Sequence, residues 1–133
     1  MSATSDQHAA AGADGAPVLD PAAIGRLREL DPQGKQGIVQ RVLRAYEQAL
    51  LRQIDEFAAA RAADDSDHVS RLAHTLKSSS ASVGAQRLSR LCAEVEWAVR
   101  TQRPAALGAE LEALIHEARR ALAAVRAMLV GQS

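Results

Sequence analysis

No proline interrupts the chain between Pro32 and Pro104, and along that stretch apolar residues return at every third or fourth position. That is the period of an α-helix; a half-buried strand would alternate every second residue. Ile38, Val39, Val42, Leu43, Tyr46, Ala49, Leu50, Ile54 and Phe57 form one stripe, roughly 160° wide on a helical wheel. So wide a stripe suits a helix packed against two neighbours. Val69, Leu72, Ala73, Leu76 and Val83 form a second stripe, and Leu88, Leu91, Cys92, Val95 and Val99 a third. The composition agrees: the 133 residues include 29 Ala and 15 Leu but only one Phe, one Tyr and one Trp. Ala and Leu favour helices, whereas a sheet core draws on β-branched and aromatic residues. The chain is expected to be all-α, with no sandwich, barrel or doubly wound sheet.

Punctuation divides the pattern into five helices. Asp20-Pro21 supplies an N-cap acceptor and a proline at the first helical position, and Asp31-Pro32-Gln33-Gly34 ends that short helix. A long helix is predicted over 36–62, broken by Asp64-Asp65-Ser66-Asp67. The third is predicted over 67–83 with Gly84 as its stop, the fourth over 85–101, and the fifth over 104–129. Short connections between long amphipathic helices make antiparallel neighbours. The expected architecture is an antiparallel up-down four-helix bundle with a short extra N-terminal helix, over residues 19–130. Residues 1–18 are small, polar and aperiodic, and are expected to form a disordered tail.

Charge and cysteine content exclude several functions. Sixteen basic residues balance sixteen acidic ones, which leaves no general electrostatic footprint for nucleic acid or an anionic membrane. Cys92 is the one cysteine and has no internal disulfide partner. Neither a secretory leader nor an apolar run of membrane-spanning length is visible. A soluble, cytoplasmic, stand-alone protein is expected, monomeric because its outer faces are neutral and polar.

The segment with chemical content is His74-Thr75-Leu76-Lys77-Ser78-Ser79-Ser80-Ala81-Ser82-Val83-Gly84-Ala85. On the wheel His74 falls about 140° from Val69, away from the apolar stripe. Its wheel neighbours are Ser70, Lys77, Ser78 and Ala81, three of them small. An imidazole on such a face is reachable by a macromolecule. It is nucleophilic at neutral pH and can accept a phosphoryl group, whose oxygens the Lys77 ammonium one turn away would offset. No second base and no metal-binding set accompany it. Asp65-x-x-His68 is only a fragment of a carboxylate-histidine metal motif, and His68 and His116 read as surface residues. Ser79 and Ser80 face the core side, where small residues allow close helix approach. Trp97 lies opposite its helix's stripe, either packed against the tail or a helix end, or serving as a partner anchor.

His74 to Ala85, followed by Arg87-Leu88, Leu91-Cys92 and Val95-Glu96, resembles the signature of histidine-containing phosphotransfer (HPt) domains of two-component phosphorelays. The resemblance implies that His74 is the phosphorylated residue, that Lys77 lies near the phosphoryl group, and that Glu96 orients the imidazole. Spacing supports the last point: His74 and Glu96 lie roughly 15 and 18 Å from the Gly84 turn, nearly level on an antiparallel hairpin. Ser78 stands where the family commonly has glycine. The implied partners are the receiver domain of a hybrid sensor histidine kinase and that of a response regulator, docking on Ser70, Arg71, Lys77, Ser78 and Ala81. The implied Mg²⁺ comes from the receiver, the chain having no cofactor of its own. It would be a phosphoryl carrier without independent turnover. A non-catalytic helical adaptor that binds a receiver or regulator is the alternative, and a bundle whose shape alone matters is a weaker one.

Overall fold

The computed structural model describes residues 17–132. Among them are five helices: α1 (Pro21–Glu29), α2 (Ile38–Ala62), α3 (Ser66–Ser82), α4 (Gln86–Arg100) and α5 (Pro104–Gln132). The helices α2 to α5 each pack on the next, and α5 returns to α2, so the four close into an antiparallel bundle. Helix α1 lies across one end. The expected all-α bundle with a short N-terminal helix is the observed architecture.

The stripes read from the sequence meet along the bundle axis. Leu43, Leu50 and Phe57 of α2, Leu76 of α3, Leu88 and Val95 of α4, and Leu114 and Val125 of α5 are fully buried. Each buried side chain of this size contributes roughly 1.5–3 kcal/mol relative to exposure. One polar pair lies among them: the Tyr46 hydroxyl and Ser80 Oγ share a hydrogen bond of 2.8 Å, both groups buried. Burial holds the Tyr46 phenol well above its ordinary range, so it stays protonated and keeps that bond.

The junctions after α2, α3 and α4 use one device. In each, a residue with positive φ follows the helix, and the next amide reaches back five residues. Asp64 (φ 53°) precedes Asp65 N–H donating to Ala60 O, Gly84 (φ 83°) precedes Ala85 N–H donating to Ser80 O, and Gln102 (φ 51°) precedes Arg103 N–H donating to Ala98 O. Glycine is required at only one of them. A Cβ on Gly84 would stand 2.7 Å from the Asp20 amide nitrogen and 2.9 Å from its oxygen. That close approach lets Asp20 N–H donate to Gly84 O at 2.8 Å and seats α1 on the α3–α4 turn. Asp20 also caps α1, its carboxylate accepting from Ala22 N–H at 3.0 Å.

Several boundaries differ from expectation by one to three residues, and three of the differences have a visible cause. Helix α2 begins at Ile38 rather than Gln36, because Gly37 adopts a left-handed conformation and the Asp31 carboxylate accepts from both Gln36 and Ile38 N–H. Helix α3 begins at Ser66, capped by Asp65, whose carboxylate accepts from His68 N–H. The expected tail ran through Val18, but Val18 is 4% exposed and belongs to the core with Leu19, since the α1 end of the bundle needs an apolar cover. The rest of that expected tail, residues 1–16, lies outside the described residues. No described helix is long and apolar enough to cross a membrane.

Candidate functional site

The mid-length of α3 and the second half of α4 hold the site. Ser89 Oγ of α4 donates to Lys77 O at 3.0 Å, fixing the register of the two antiparallel helices. In that register Glu96 of α4 comes level with His74 of α3. The core faces of both helices are occupied by Leu72, Ala73 and Leu76 on one and Cys92, Val95 and Ala98 on the other, so His74 is turned outward.

His74 Nδ1 lies 3.1 Å from Glu96 Oε2, and Lys77 Nζ lies 2.7 Å from Glu96 Oε1. The His74 side chain is 71% exposed and Glu96 only 11%. One half-sunken carboxylate thus holds the ring with one oxygen and the ammonium with the other. Burial pushes the Glu96 carboxyl up, but hydrogen bonds from Lys77 and His74 outweigh it and leave it below the ordinary carboxylate range. An ionised carboxylate accepts only, so Nδ1 carries the proton and donates. The Nε2 lone pair is then the one left for chemistry, on the outward edge of an exposed ring. That arrangement is a fixed tautomer with an accessible nucleophilic nitrogen.

Glu96 accordingly stands where counting placed it. Lys77, expected to bring its ammonium beside the ring, has that ammonium on the same Glu96 carboxylate that holds the ring. Of the other face residues, Arg71, Ser78 and Ala81 are exposed, while Ser70 is half-buried. Ser80 points into the core as expected. Ser79 is only half-buried and turns its hydroxyl onto the helix carbonyls of Leu76 and Thr75. Beneath the site Cys92 is fully buried; burial and the nearby Glu96 push its thiol up to about 12, which keeps it an inert apolar group. Asp65 serves as the cap of α3. Trp97 is 53% exposed with the Arg100 guanidinium 5.8 Å from its ring, so no described helix end covers it. Sequence reasoning missed Glu117, 2% exposed, which faces Arg87 of α4 at 3.7 Å and Arg120 at 3.5 Å. Its only sequence signal was its place within the apolar stripe of α5, between Leu114 and Ala118.

A family model for the Hpt domain matches residues 41–128, which includes His74, Lys77 and Glu96. The chain belongs to the Hpt domain family. Its fold is similar to that of histidine-containing phosphotransfer protein B from Pseudomonas aeruginosa PAO1, with a TM-score of 0.70 and 25% identity over 88% of this chain and 95% of that one. A histidine-containing phosphotransfer protein from rice has the same fold, with a TM-score of 0.71 and 24% identity over 84% of this chain and 79% of that one. Among curated proteins, the sensor protein TorS of Escherichia coli (strain K12) is 45% identical over 51 residues. That match spans 38% of this chain but only 6% of the length of TorS. As an Hpt protein the chain is a phosphotransfer component of phosphorelays.

Proposed function

We propose that His74 is the phosphoryl-carrying residue of this Hpt protein, and that it exchanges the group with the phosphoaspartates of receiver domains. The Nε2 lone pair attacks phosphorus, the phosphorus–oxygen bond of the acyl phosphate breaks, and the aspartate leaves as a carboxylate. The Nδ1 proton stays on the ring, so the phosphorylated imidazole is cationic and is stabilised by the Glu96 carboxylate. Return to a second receiver reverses these steps: the incoming carboxylate attacks, and Nε2 takes back its electron pair. No proton needs to enter or leave. Lys77 is within reach of the same space and offsets phosphoryl charge during transfer.

The receiver brings the Mg²⁺ that this transfer uses, and docks on the face formed by Ser70, Arg71, Lys77, Ser78 and Ala81. One receiver is that of a hybrid sensor kinase, the other that of a response regulator, and the short match to a sensor protein supports that pairing. The chain acts as a monomeric cytoplasmic carrier, with no turnover of its own. The observation that carries this reading is an imidazole 71% exposed whose inner nitrogen is held by a half-buried carboxylate.

The test mixes the protein with a receiver carrying ³²P on its aspartate. Wild type should acquire acid-labile, alkali-stable label and His74→Gln none. Receiver binding of equal strength in both proteins, with label on neither, would replace the carrier by an adaptor.

A further inference from the structure

Helix α3 is rich in hydroxyl groups, and most are already engaged. Thr75 Oγ1 donates to Arg71 O at 3.2 Å, Ser79 Oγ to Leu76 O at 3.2 Å, and Ser82 Oγ to Ser78 O at 3.1 Å. Ser80 is bound to Tyr46. Such back-bonding to the preceding turn is the ordinary fate of a helical hydroxyl. Ser70 and Ser78 differ: among the described residues neither hydroxyl makes a hydrogen bond. They lie one turn before and one turn after His74, on its face of the helix.

The two positions are not equivalent. Side chains on a helix lean towards its N-terminus, so a residue covers the surface of the turn before it. The imidazole of His74 therefore stands over the turn that carries Ser70, with Ser78 a turn behind. Glu96 draws the ring towards α4 through Nδ1, and the half-buried Ser70 lies about 40° round the helix from His74 on the side of Lys77, which also reaches Glu96. A phosphoryl group on Nε2 would carry three strong acceptor oxygens into the space between the ring edge and this hydroxyl.

We propose that the Ser70 hydroxyl is a catalytic residue of this Hpt site that donates a hydrogen bond to the phosphoryl group on His74. The inference rests on the carrier reading and deepens it. Ser70 binds the transferred group from the N-terminal side of the ring, while Lys77 reaches it from the C-terminal side. The bond exists only in the phosphorylated protein, so it shifts the transfer equilibrium towards His74. A hydrogen bond to a charged acceptor, partly screened by solvent, shifts such an equilibrium about tenfold.

The experiment measures, for the full chain, the fraction of phosphate on histidine at equilibrium with a phosphorylated receiver, and the ³¹P shift of the phosphoprotein. Ser70→Ala should lower the transfer equilibrium constant about tenfold and move the ³¹P resonance. Ser70→Thr keeps a hydroxyl and should restore both, and Ser82→Ala, which removes an exposed hydroxyl of the same helix outside the docking face, should match wild type. Circular dichroism should be the same in all four proteins, and the ³¹P shift is read on the isolated phosphoprotein, which separates this role from folding and docking. A wild-type equilibrium and ³¹P shift in Ser70→Ala would overturn the proposal, as would Ser82→Ala sharing its defect. Both outcomes leave the carrier reading intact. Absence of label on the wild-type protein would overturn the two together.

Discussion

Replacing Glu96 by alanine is the sharpest perturbation of the site. The substitution removes the acceptor 3.1 Å from His74 Nδ1 and the ion partner 2.7 Å from Lys77 Nζ. The first loss is the functional one. A hydrogen bond to a charged group contributes about 1.5–3 kcal/mol, and in the proposed transfer this one selects the tautomer and stabilises the cationic phospho-ring. Losing it slows transfer by about 10- to 100-fold. The second loss costs little stability, because Lys77 is 36% exposed and pairs at such positions contribute about 1 kcal/mol or less. Transfer and stability should therefore separate: a large fall in the single-turnover rate from phosphorylated receiver, with a thermal midpoint moved by only a few degrees. Glu96→Gln should fall between, since its amide oxygen accepts from Nδ1 without charge. Ring ¹⁵N shifts should show Nδ1 protonated in wild type and a tautomer mixture in Glu96→Ala. A Glu96→Ala protein that transfers within twofold of wild type, with Nδ1 still the protonated nitrogen, would refute the reasoning.

Three other outcomes follow from the same contacts. Gly84→Ala adds a left-handed backbone penalty of about 1–2 kcal/mol and forces apart the Asp20–Gly84 hydrogen bond, so urea unfolding should show about 2–4 kcal/mol of lost stability; a change below about 0.5 kcal/mol would contradict the α1 docking described. Tyr46→Phe strands the buried Ser80 hydroxyl and should cost about 1–2 kcal/mol in the same assay, with Tyr46→Phe/Ser80→Ala recovering part of it. The folded pKa of Glu96 is depressed, so its contribution to stability is fully present above its ordinary value of 4.5 and is lost as pH falls through the lower folded value. A pH titration of stability should show a constant gap between wild type and Glu96→Gln above pH 4.5 that closes in stronger acid; a gap that stays the same at every pH would contradict that coupling.

The helices were legible because burial in a bundle imposes a period. Leu43, Leu50 and Phe57, or Leu88 and Val95, recur at helical spacing and are buried for that reason. Glu96 was legible by distance from Gly84, since antiparallel helices joined by a tight turn place equal counts at equal heights. The remainder depends on contacts that spacing does not encode. Nothing local marks Asp31 as the cap of a helix five to seven residues ahead, because its carboxylate reaches across a turn. Asp64 and Gln102 adopt the left-handed conformation without glycine at exposed turns, whereas a Cβ at Gly84 would meet Asp20. A single wheel gave Lys77 its direction but not its partner, which lies on α4. Glu117 is buried because Arg87 and Arg120 approach it, and pairing of that kind is a property of the assembled bundle.

The central claim is that His74 presents Nε2 to a partner while Glu96 retains the proton on Nδ1. ³¹P–¹⁵N correlation spectra of the phosphorylated protein, labelled in its histidine rings, test it directly. The account predicts one phosphorus coupled to Nε2 of His74, with the Nδ1 proton still present. Phosphorus bonded to Nδ1, or to any of the other three histidines, would contradict it.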